Sequence, residues 1–433
     1  MDSKDLKGLE SLLKLQPELN KYAQWGIEFN PFPRSGTANI NGTDGVNRSL
    51  SPFNPEIDQE VNRFIMDSFA QNGVDKKDQF ISATIIGDYG SGKTQLLMYV
   101  RGILNMIREG HKYLKPFTIY IDNPGGTILE FIGNIIAKIG EENIRKYVWN
   151  HIIEVISADE DARTQINYLA PTQGMMFLGN EESADPFNKV NTISYKKFLD
   201  AILRNMSSHN RKKFDIFFSS IVKKALEEDT QDSTVAYYFY DFISSDFGIN
   251  KTWEALTSGS LKQVSGKEFA VIKYIIKLLK REGFTHVFIL VDEFEDLTEG
   301  RLTKVQLDNY VHNLRTLLDK QREWCLLFAM NPLALSRLKT ISPPLADRIS
   351  IRQIVLDNLK DDEVKTMLRK YLDLAKYEGD IPIKPEALSY IRTICDGNPR
   401  RVLKITFALF ESAANAGVKE IDIEFVEKNI PSF

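Results

Sequence analysis

The eight residues Gly87-Asp88-Tyr89-Gly90-Ser91-Gly92-Lys93-Thr94 carry the clearest chemistry in the chain. Glycine, four residues, then Gly-Lys-Thr is the pattern of a loop that cradles phosphates. Gly87, Gly90 and Gly92 let the backbone turn its amides inward and approach phosphate oxygens closely, where a Cβ would obstruct. Asp88, Tyr89 and Ser91 complete the loop. A helix starting near Lys93 would add the positive end of its dipole and its free amides. The Lys93 ammonium would reach the β- and γ-phosphates of a nucleoside triphosphate, and the Thr94 hydroxyl would ligate magnesium.

Two further positions answer to that loop. His286–Val291 is a continuous apolar run that ends in Asp292 and Glu293. Unbroken apolarity suits a central parallel strand covered on both faces, and a carboxylate at its buried end needs a pair or a metal. Downstream of a phosphate loop, Asp292 would hold magnesium through water and Glu293 would polarise the attacking water. The apolar run Trp324–Met330 ends in Asn331, at what would be the ligand edge of an open α/β sheet. Asn331 would orient the lytic water or touch the γ-phosphate; the structural alternative is a turn-initiating Asn before Pro332.

These residues need elements to position them. Phe80–Ile86 reads as a buried strand, and the helix after the loop shows an apolar face through Leu104. Phe117–Asp122 is a second strand, followed by the turn Asn123-Pro124-Gly125-Gly126 and a helix to about Ile139 capped by Thr127. The β-α-β-α order predicts a parallel, doubly wound sheet. Residues 141–283 break the rhythm with helical segments and no convincing strand, which is far longer than an ordinary crossover. Tyr195–Met206, Phe214–Glu228, Thr234–Phe247 and Lys267–Glu282 are its helices, the last with an apolar stripe of Phe269, Ile272, Ile275, Ile276 and Leu279. Lys196, Lys197, Arg204, Arg211, Lys212 and Lys213 form a basic patch there, either a solvated helix face or a nucleic-acid or partner surface.

A helix over Val305–Lys320 and a last strand over Ser350–Leu356 complete the sheet domain. Helices over roughly 360–375, 384–395, 398–415 and 422–429 then form a small bundle. Upstream, residues 5–24 have the periodicity of an amphipathic helix. Trp25–Pro33 is an apolar, proline-locked strap, either packed on the core or forming part of an adenine pocket. The expected plan is an N-terminal helix and strap over 1–54, a phosphate-loop ATPase domain over 55–357 with its insertion at about 141–283, and a helical lid over 358–433.

With 433 residues, 43% hydrophobic and 26% charged, the chain has the composition of an ordinary soluble globular protein. Its net charge of −4 sets up no global field that demands nucleic acid, although a local basic face is compatible with it. Cys325 and Cys395 sit in apolar patterns without metal-ligand spacing. No signal peptide or membrane-length apolar run is present, which predicts a cytoplasmic protein without a membrane partner.

The order of phosphate loop, strand-Asp-Glu, strand-Asn, arginine before the last strand and helical C-terminal bundle resembles the AAA+ ATPases. That resemblance implies ATP and Mg2+ as ligands and a lid whose third helix carries an arginine facing the γ-phosphate. In Gly397-Asn398-Pro399-Arg400-Arg401, Arg400 resembles that second sensor, and Asn331 resembles the first. Arg348 resembles the arginine finger that completes a neighbouring subunit's site, which implies a homo-oligomer; Arg352 is nearby. The short lid and Asp292–Leu297 are similar to the origin-initiator and ExeA-like group. The long insertion, Trp253–Gly259, Gly283-Phe284 and Asn309–Arg315 are similar to ATP-binding proteins of BREX phage-resistance systems. The expectation is an ATP-hydrolysing motor or switch acting on DNA or a DNA-bound complex, with defence-complex proteins as partners. The alternative is a nucleotide-gated interaction module that assembles on ATP and hydrolyses slowly.

Overall fold

The computed structural model describes residues 20–36, 52–70, 80–169, 195, 198–199, 203, 206–244 and 267–430. In chain order the elements are α1 (Pro55–Phe69), β1 (Ile81–Gly87), α2 (Lys93–Gly110), β2 (Pro116–Ile121), α3 (Ile128–Ile139) and α4 (Glu141–Ala158). Then come α5 (Glu160–Leu169), α6 (Ser208–Thr230), α7 (Ser233–Ser244), α8 (Glu268–Arg281), β3 (His286–Val291), α9 (Lys304–Lys320) and β4 (Cys325–Met330). The last are α10 (Pro332–Ile341), α11 (Pro343–Ile349), β5 (Arg352–Leu356), α12 (Asp361–Leu374), α13 (Pro385–Ile394), α14 (Pro399–Ala416) and α15 (Ile423–Asn429).

The fold is α/β: a parallel five-stranded sheet flanked by helices, with a helical insertion ahead of β3 and a helical bundle after β5. The strand order is β2-β3-β4-β1-β5. β2 pairs with β3 in parallel from Pro116 opposite His286 to Ile121 opposite Val291. β3 pairs with β4 from Phe288 opposite Cys325 to Val291 opposite Phe328. Every residue of β3 and β4 is buried, as strands covered on both faces require. Thr127 caps α3 by accepting from the Glu130 amide at 3.1 Å, as its place before the apolar run predicts.

By contact density the chain forms two compact units, one of residues 1–62, 86–102 and 354–433, the other of 63–85 and 103–353. In the first, α12–α15 close over Val364, Leu368, Ile391, Leu409 and Phe410. Trp25, Ile27 and Phe32 of the strap belong to this same core. The rings of Trp25 and Phe32 stand 4.9 and 4.8 Å from that of Phe410. Glu411 of α14 ties the strap down, accepting from Lys21 at 2.6 Å, from Asn30 at 3.0 Å and from the Tyr22 hydroxyl. The buried rings match the packing alternative for the strap. The helix expected over 5–24 lies outside the described residues up to residue 19. Its last residues form a turn and a short 3-10 helix, Ala23–Trp25, that stops at Gly26 in the left-handed region (φ 71°).

In the second unit the described residues of the insertion are helical. They share an aromatic core of Trp149, Phe198, Phe214, Phe218, Phe239, Phe242 and Tyr274. Trp149 meets Phe198 at 5.4 Å and Phe239 meets Tyr274 edge-on at 4.7 Å, favourable geometries for rings. Of the expected stripe on α8, Ile272, Ile275, Ile276 and Leu279 are buried, while Phe269 is half-buried. Lys196, Lys197 and Arg204 of the basic patch, and Trp253–Gly259, lie outside the described residues; Arg211, Lys212 and Lys213 are exposed on the first two turns of α6. Two helices, α10 and α11, stand over residues 332–349, to which the sequence reading assigns no element. In both, Pro occupies the first turn, where its missing N–H costs nothing.

Both cysteines are buried, and burial pushes each thiol up to about 12, which makes them inert packing groups. Among the described residues no helix is long and apolar enough to cross a membrane.

His286, at the start of β3, is buried with its ring 4.8 Å from Phe69, edge to face. Burial first, then the nearby Lys280 charge, lower its pKa from 6.5 to about 4. The folded state therefore resists protonation that the unfolded chain accepts below about 6.5. Stability from this group is fully present above that pH and is lost as pH falls towards 4, by on the order of 3 kcal/mol. Urea midpoints measured between pH 7 and 4 should fall along this window, and His286→Phe should flatten the slope. An unchanged slope in that variant removes the assignment.

Candidate functional site

β1 delivers the chain into the glycine loop at Gly87 and α2 begins at Lys93; the loop itself lies in the first unit. Gly90 and Gly92 adopt φ of 83° and 101°, a region closed to most side-chain-bearing residues. Gly87 is required by space instead: a Cβ there would lie 2.4 Å from Ser91 Oγ and 3.0 Å from Leu356 Cβ. The Ser91 amide closes the turn on the Asp88 carbonyl at 3.1 Å. Lys93 is buried, with Nζ donating to the carbonyls of Gly87 at 3.0 Å and Asp88 at 3.3 Å. Its ammonium is thus folded back over the loop mouth. Ser91 Oγ is buried without a hydrogen-bond partner among the described residues. A buried orphan hydroxyl and a glycine cradle fit a phosphate-bearing ligand.

Helix α14 is clasped to this loop. The segment 396–401 enters through two left-handed residues, Asp396 (φ 51°) and Gly397 (φ 64°). A Cβ on Gly397 would lie 2.4 Å from the Leu359 carbonyl oxygen, so glycine is required there twice over. Asn398 caps α14 by accepting from the Arg401 amide at 3.2 Å, and its Nδ2 donates to the Tyr89 carbonyl at 2.9 Å. The Arg400 amide, an orphan of the helix N-terminus, donates to the Gly90 carbonyl at 3.2 Å. The Arg400 guanidinium lies 4.8 Å from the centre of the Tyr89 ring. Arg400 therefore reaches the loop. Asn398 was missed in the sequence reading, although its place before Pro399 is a cap signature.

In the second unit, Asp292 continues the ladder of β3, donating its amide to the Ile121 carbonyl at 2.8 Å, and is only 3% exposed. Its Oδ1 accepts from the Glu293 amide at 3.0 Å, and its Oδ2 from the Tyr120 hydroxyl at 2.9 Å. Tyr120, on the neighbouring strand, carries no sequence signal for this role. Burial and the Asp292 charge hold its phenol well above the usual range, so it stays a hydrogen donor.

Glu293 sits in the left-handed region (φ 49°, ψ 36°) and opens a 3-10 turn, Phe294–Leu297. A non-glycine residue held there is strained, a condition that clusters at functional sites. Its carboxyl is raised above the ordinary range, first by partial desolvation, then by the charges of Asp296, Asp292 and Glu295. Asp296 is bound by Asn123 Nδ2 at 2.7 Å and by Arg301 at 2.5 Å. Those contacts fasten the turn to the loop after β2.

Asn331 accepts from the Ala334 amide at 2.7 Å, so its oxygen caps α10. Its Nδ2 donates to Glu299 at 3.2 Å. The oxygen is thus taken by the cap of α10 and the NH2 by Glu299. Arg348 is held within its own chain, bonding both carboxylate oxygens of Asp319, one at 3.0 Å, and the Pro344 carbonyl at 2.7 Å. Arg352 is paired with Asp67 of α1.

Asp292 offers carboxylate oxygens, the kind of ligand that magnesium takes. Among the described residues no three His, Cys, Asp or Glu side chains converge into a metal cage. Magnesium needs none, since it is commonly held by one or two protein oxygens plus substrate phosphates.

No family model matches the chain. Over 107 residues it is 31% identical to an uncharacterised HTH-type transcriptional regulator of Methanocaldococcus jannaschii. That stretch is 24% of this chain and 26% of the relative, so the chain spans about a quarter of the length of the curated relative it matches. Among solved structures, the Aeropyrum pernix ORC2 protein in its ADPNP–ADP complexes is similar at a TM-score of 0.44 and 14% identity, over 92% of this chain and 71% of that one. The Aeropyrum pernix ORC1 protein in complex with DNA is similar at a TM-score of 0.40 and 11% identity, over 89% of this chain and 67% of that one. At these scores the likeness carries nothing about activity.

Proposed function

We propose that the chain is an AAA+-type ATPase that binds ATP with Mg2+ and acts as an oligomeric switch or motor on DNA or a DNA-bound complex. The observation that carries the reading is the clasped loop: left-handed Gly90 and Gly92, a buried Lys93, and Asn398 and Arg400 bonded to the loop's own carbonyls. Lys93 and the loop amides would hold the phosphates, with Thr94 and Asp292 on magnesium. Glu293 would polarise water, Asn331 would orient it, and Arg400 would answer to the γ-phosphate. Residues 55–357 would be the ATPase domain and 358–433 its lid.

A role on DNA rests on the resemblance to origin initiators and is in keeping with the regulator name of the Methanocaldococcus relative. A role in phage defence, with defence proteins as partners, rests on the resemblance to BREX ATP-binding proteins. A second reading, a nucleotide-gated interaction module with slow hydrolysis, is favoured by Arg348 being engaged by its own chain's Asp319.

Equilibrium binding of ATP to the wild type and to Lys93→Ala tests the core claim. The variant should lose at least about tenfold in affinity, the worth of a charged hydrogen bond. Equal affinities, or no binding by the wild type, would remove the reading. Multiple-turnover assays with and without duplex DNA separate motor from module, and DNA affinity should fall steeply with salt.

A further inference from the structure

Tyr89 is the odd residue of the loop, a large aromatic side chain 78% exposed in a segment otherwise built of small or charged residues. Its surroundings are built rather than incidental. The Asn398 bond to the Tyr89 carbonyl at 2.9 Å and the Arg400 amide bond to the Gly90 carbonyl at 3.2 Å pin the first turn of α14 to the loop. Those two bonds set where the Arg400 side chain starts relative to the Tyr89 ring. The stem of Arg400 is then confined from two sides. A Cβ on Gly90 would lie 2.9 Å from Arg400 Cβ, and one on Gly36 of the strap 3.0 Å from Arg400 Cγ. The stem thus passes close to both glycines, and the guanidinium rests 4.8 Å from the ring centre. Planar guanidinium on an aromatic face is a favourable contact.

We propose that the Tyr89 ring is a seat for the Arg400 guanidinium, which a terminal phosphate must draw away, so that Tyr89 sets the preference between nucleoside tri- and diphosphate. Tyr89 is thus a positioning residue: it acts through Arg400. This rests on the function proposed above. A triphosphate that recruits Arg400 competes with the ring, and a diphosphate does not. The ring therefore lowers triphosphate affinity relative to diphosphate affinity. A cation–π contact at an exposed site corresponds to about two- to fivefold in such a ratio.

The test is calorimetric binding of ADP and of a non-hydrolysable ATP analogue, each with Mg2+, to wild type, Tyr89→Ala, Tyr89→Phe and Arg400→Ala. Tyr89→Ala should raise the analogue-to-ADP affinity ratio about two- to fivefold. Tyr89→Phe keeps the ring and should match the wild type. In an Arg400→Ala background, Tyr89→Ala should leave the ratio where it is. An unchanged or lower ratio in Tyr89→Ala, or a Tyr89→Phe variant that behaves like Tyr89→Ala, overturns the seat while leaving nucleotide binding intact. Failure of the wild type to bind either nucleotide overturns the underlying reading, and this inference with it.

Discussion

Glu293→Gln should bind ATP as the wild type does and hydrolyse it about 10²–10⁴-fold more slowly, the range a positioned general base contributes. The substitution keeps size and shape, so the left-handed backbone at this residue and the turn after it have no reason to change. Asp292 keeps its bonds to Tyr120 and to the backbone amide of residue 293. The loop that would hold the phosphates is untouched. What disappears is a carboxylate raised in basicity by partial desolvation and by three neighbouring acids. Phosphate release under multiple turnover, set beside analogue binding by calorimetry, reads both halves of the expectation. Turnover at the wild-type rate would end the role of Glu293 as base. Sizing the same variant with ATP, with and without duplex DNA, then reports whether the nucleotide drives assembly.

The other large effect is expected at Arg348. If it serves as a trans-acting arginine, Arg348→Ala should lower turnover by about 10³–10⁵, the worth of an arginine finger in related phosphoryl transfer. Its two-oxygen pairing with Asp319 would first have to open. An exposed ion pair of that kind is worth only about 0–1 kcal/mol, which a neighbour's nucleotide can readily offset. Asp319→Ala should therefore leave Arg348 competent.

Mixing decides between trans and cis. Arg348→Ala retains the phosphate loop, Lys93→Ala retains the arginine, and a mixture of the two should recover activity that neither has alone. Wild-type turnover that ignores protein concentration, together with an active Arg348→Ala, would dismiss the finger. Arg352→Ala is the companion measurement, because Arg352 is held by Asp67 on its own chain and lies in the same stretch.

Much of the fold was legible because its signals are local. An unbroken apolar run of about six residues suits a strand covered on both faces, and β3 and β4 are buried at every position. Thr127 before a 3.6-period pattern caps a helix, and it does so here. The four helices after β5 were readable from the sequence, while the cap on the last, Asp422 accepting from the Phe425 amide at 2.9 Å, is seen in the structure. The reading faltered where one residue type supports two outcomes. Pro332, Pro343 and Pro344 open two helices to which the sequence reading assigns nothing, each in a first turn that tolerates it. Asn331 read as ligand or turn; its oxygen caps α10 and its NH2 donates to Glu299.

On its own, the sequence determined the phosphate loop, the acids ending one apolar strand, the amide ending another and the arginine after Asn398-Pro399. Each is a matter of backbone conformation or periodicity within a few residues, where glycine's missing Cβ or a strand's two covered faces leave little choice. Only the tertiary structure decided which partner each of these side chains has. Asn398 meets a carbonyl 309 positions earlier, and Tyr120 meets a carboxylate 172 positions later. No local pattern encodes such pairs, because strand order and the docking of α14 bring them together. The loop's Tyr89 is the clearest instance: its identity was on the page from the start, and its bearing on Arg400 came only with the fold.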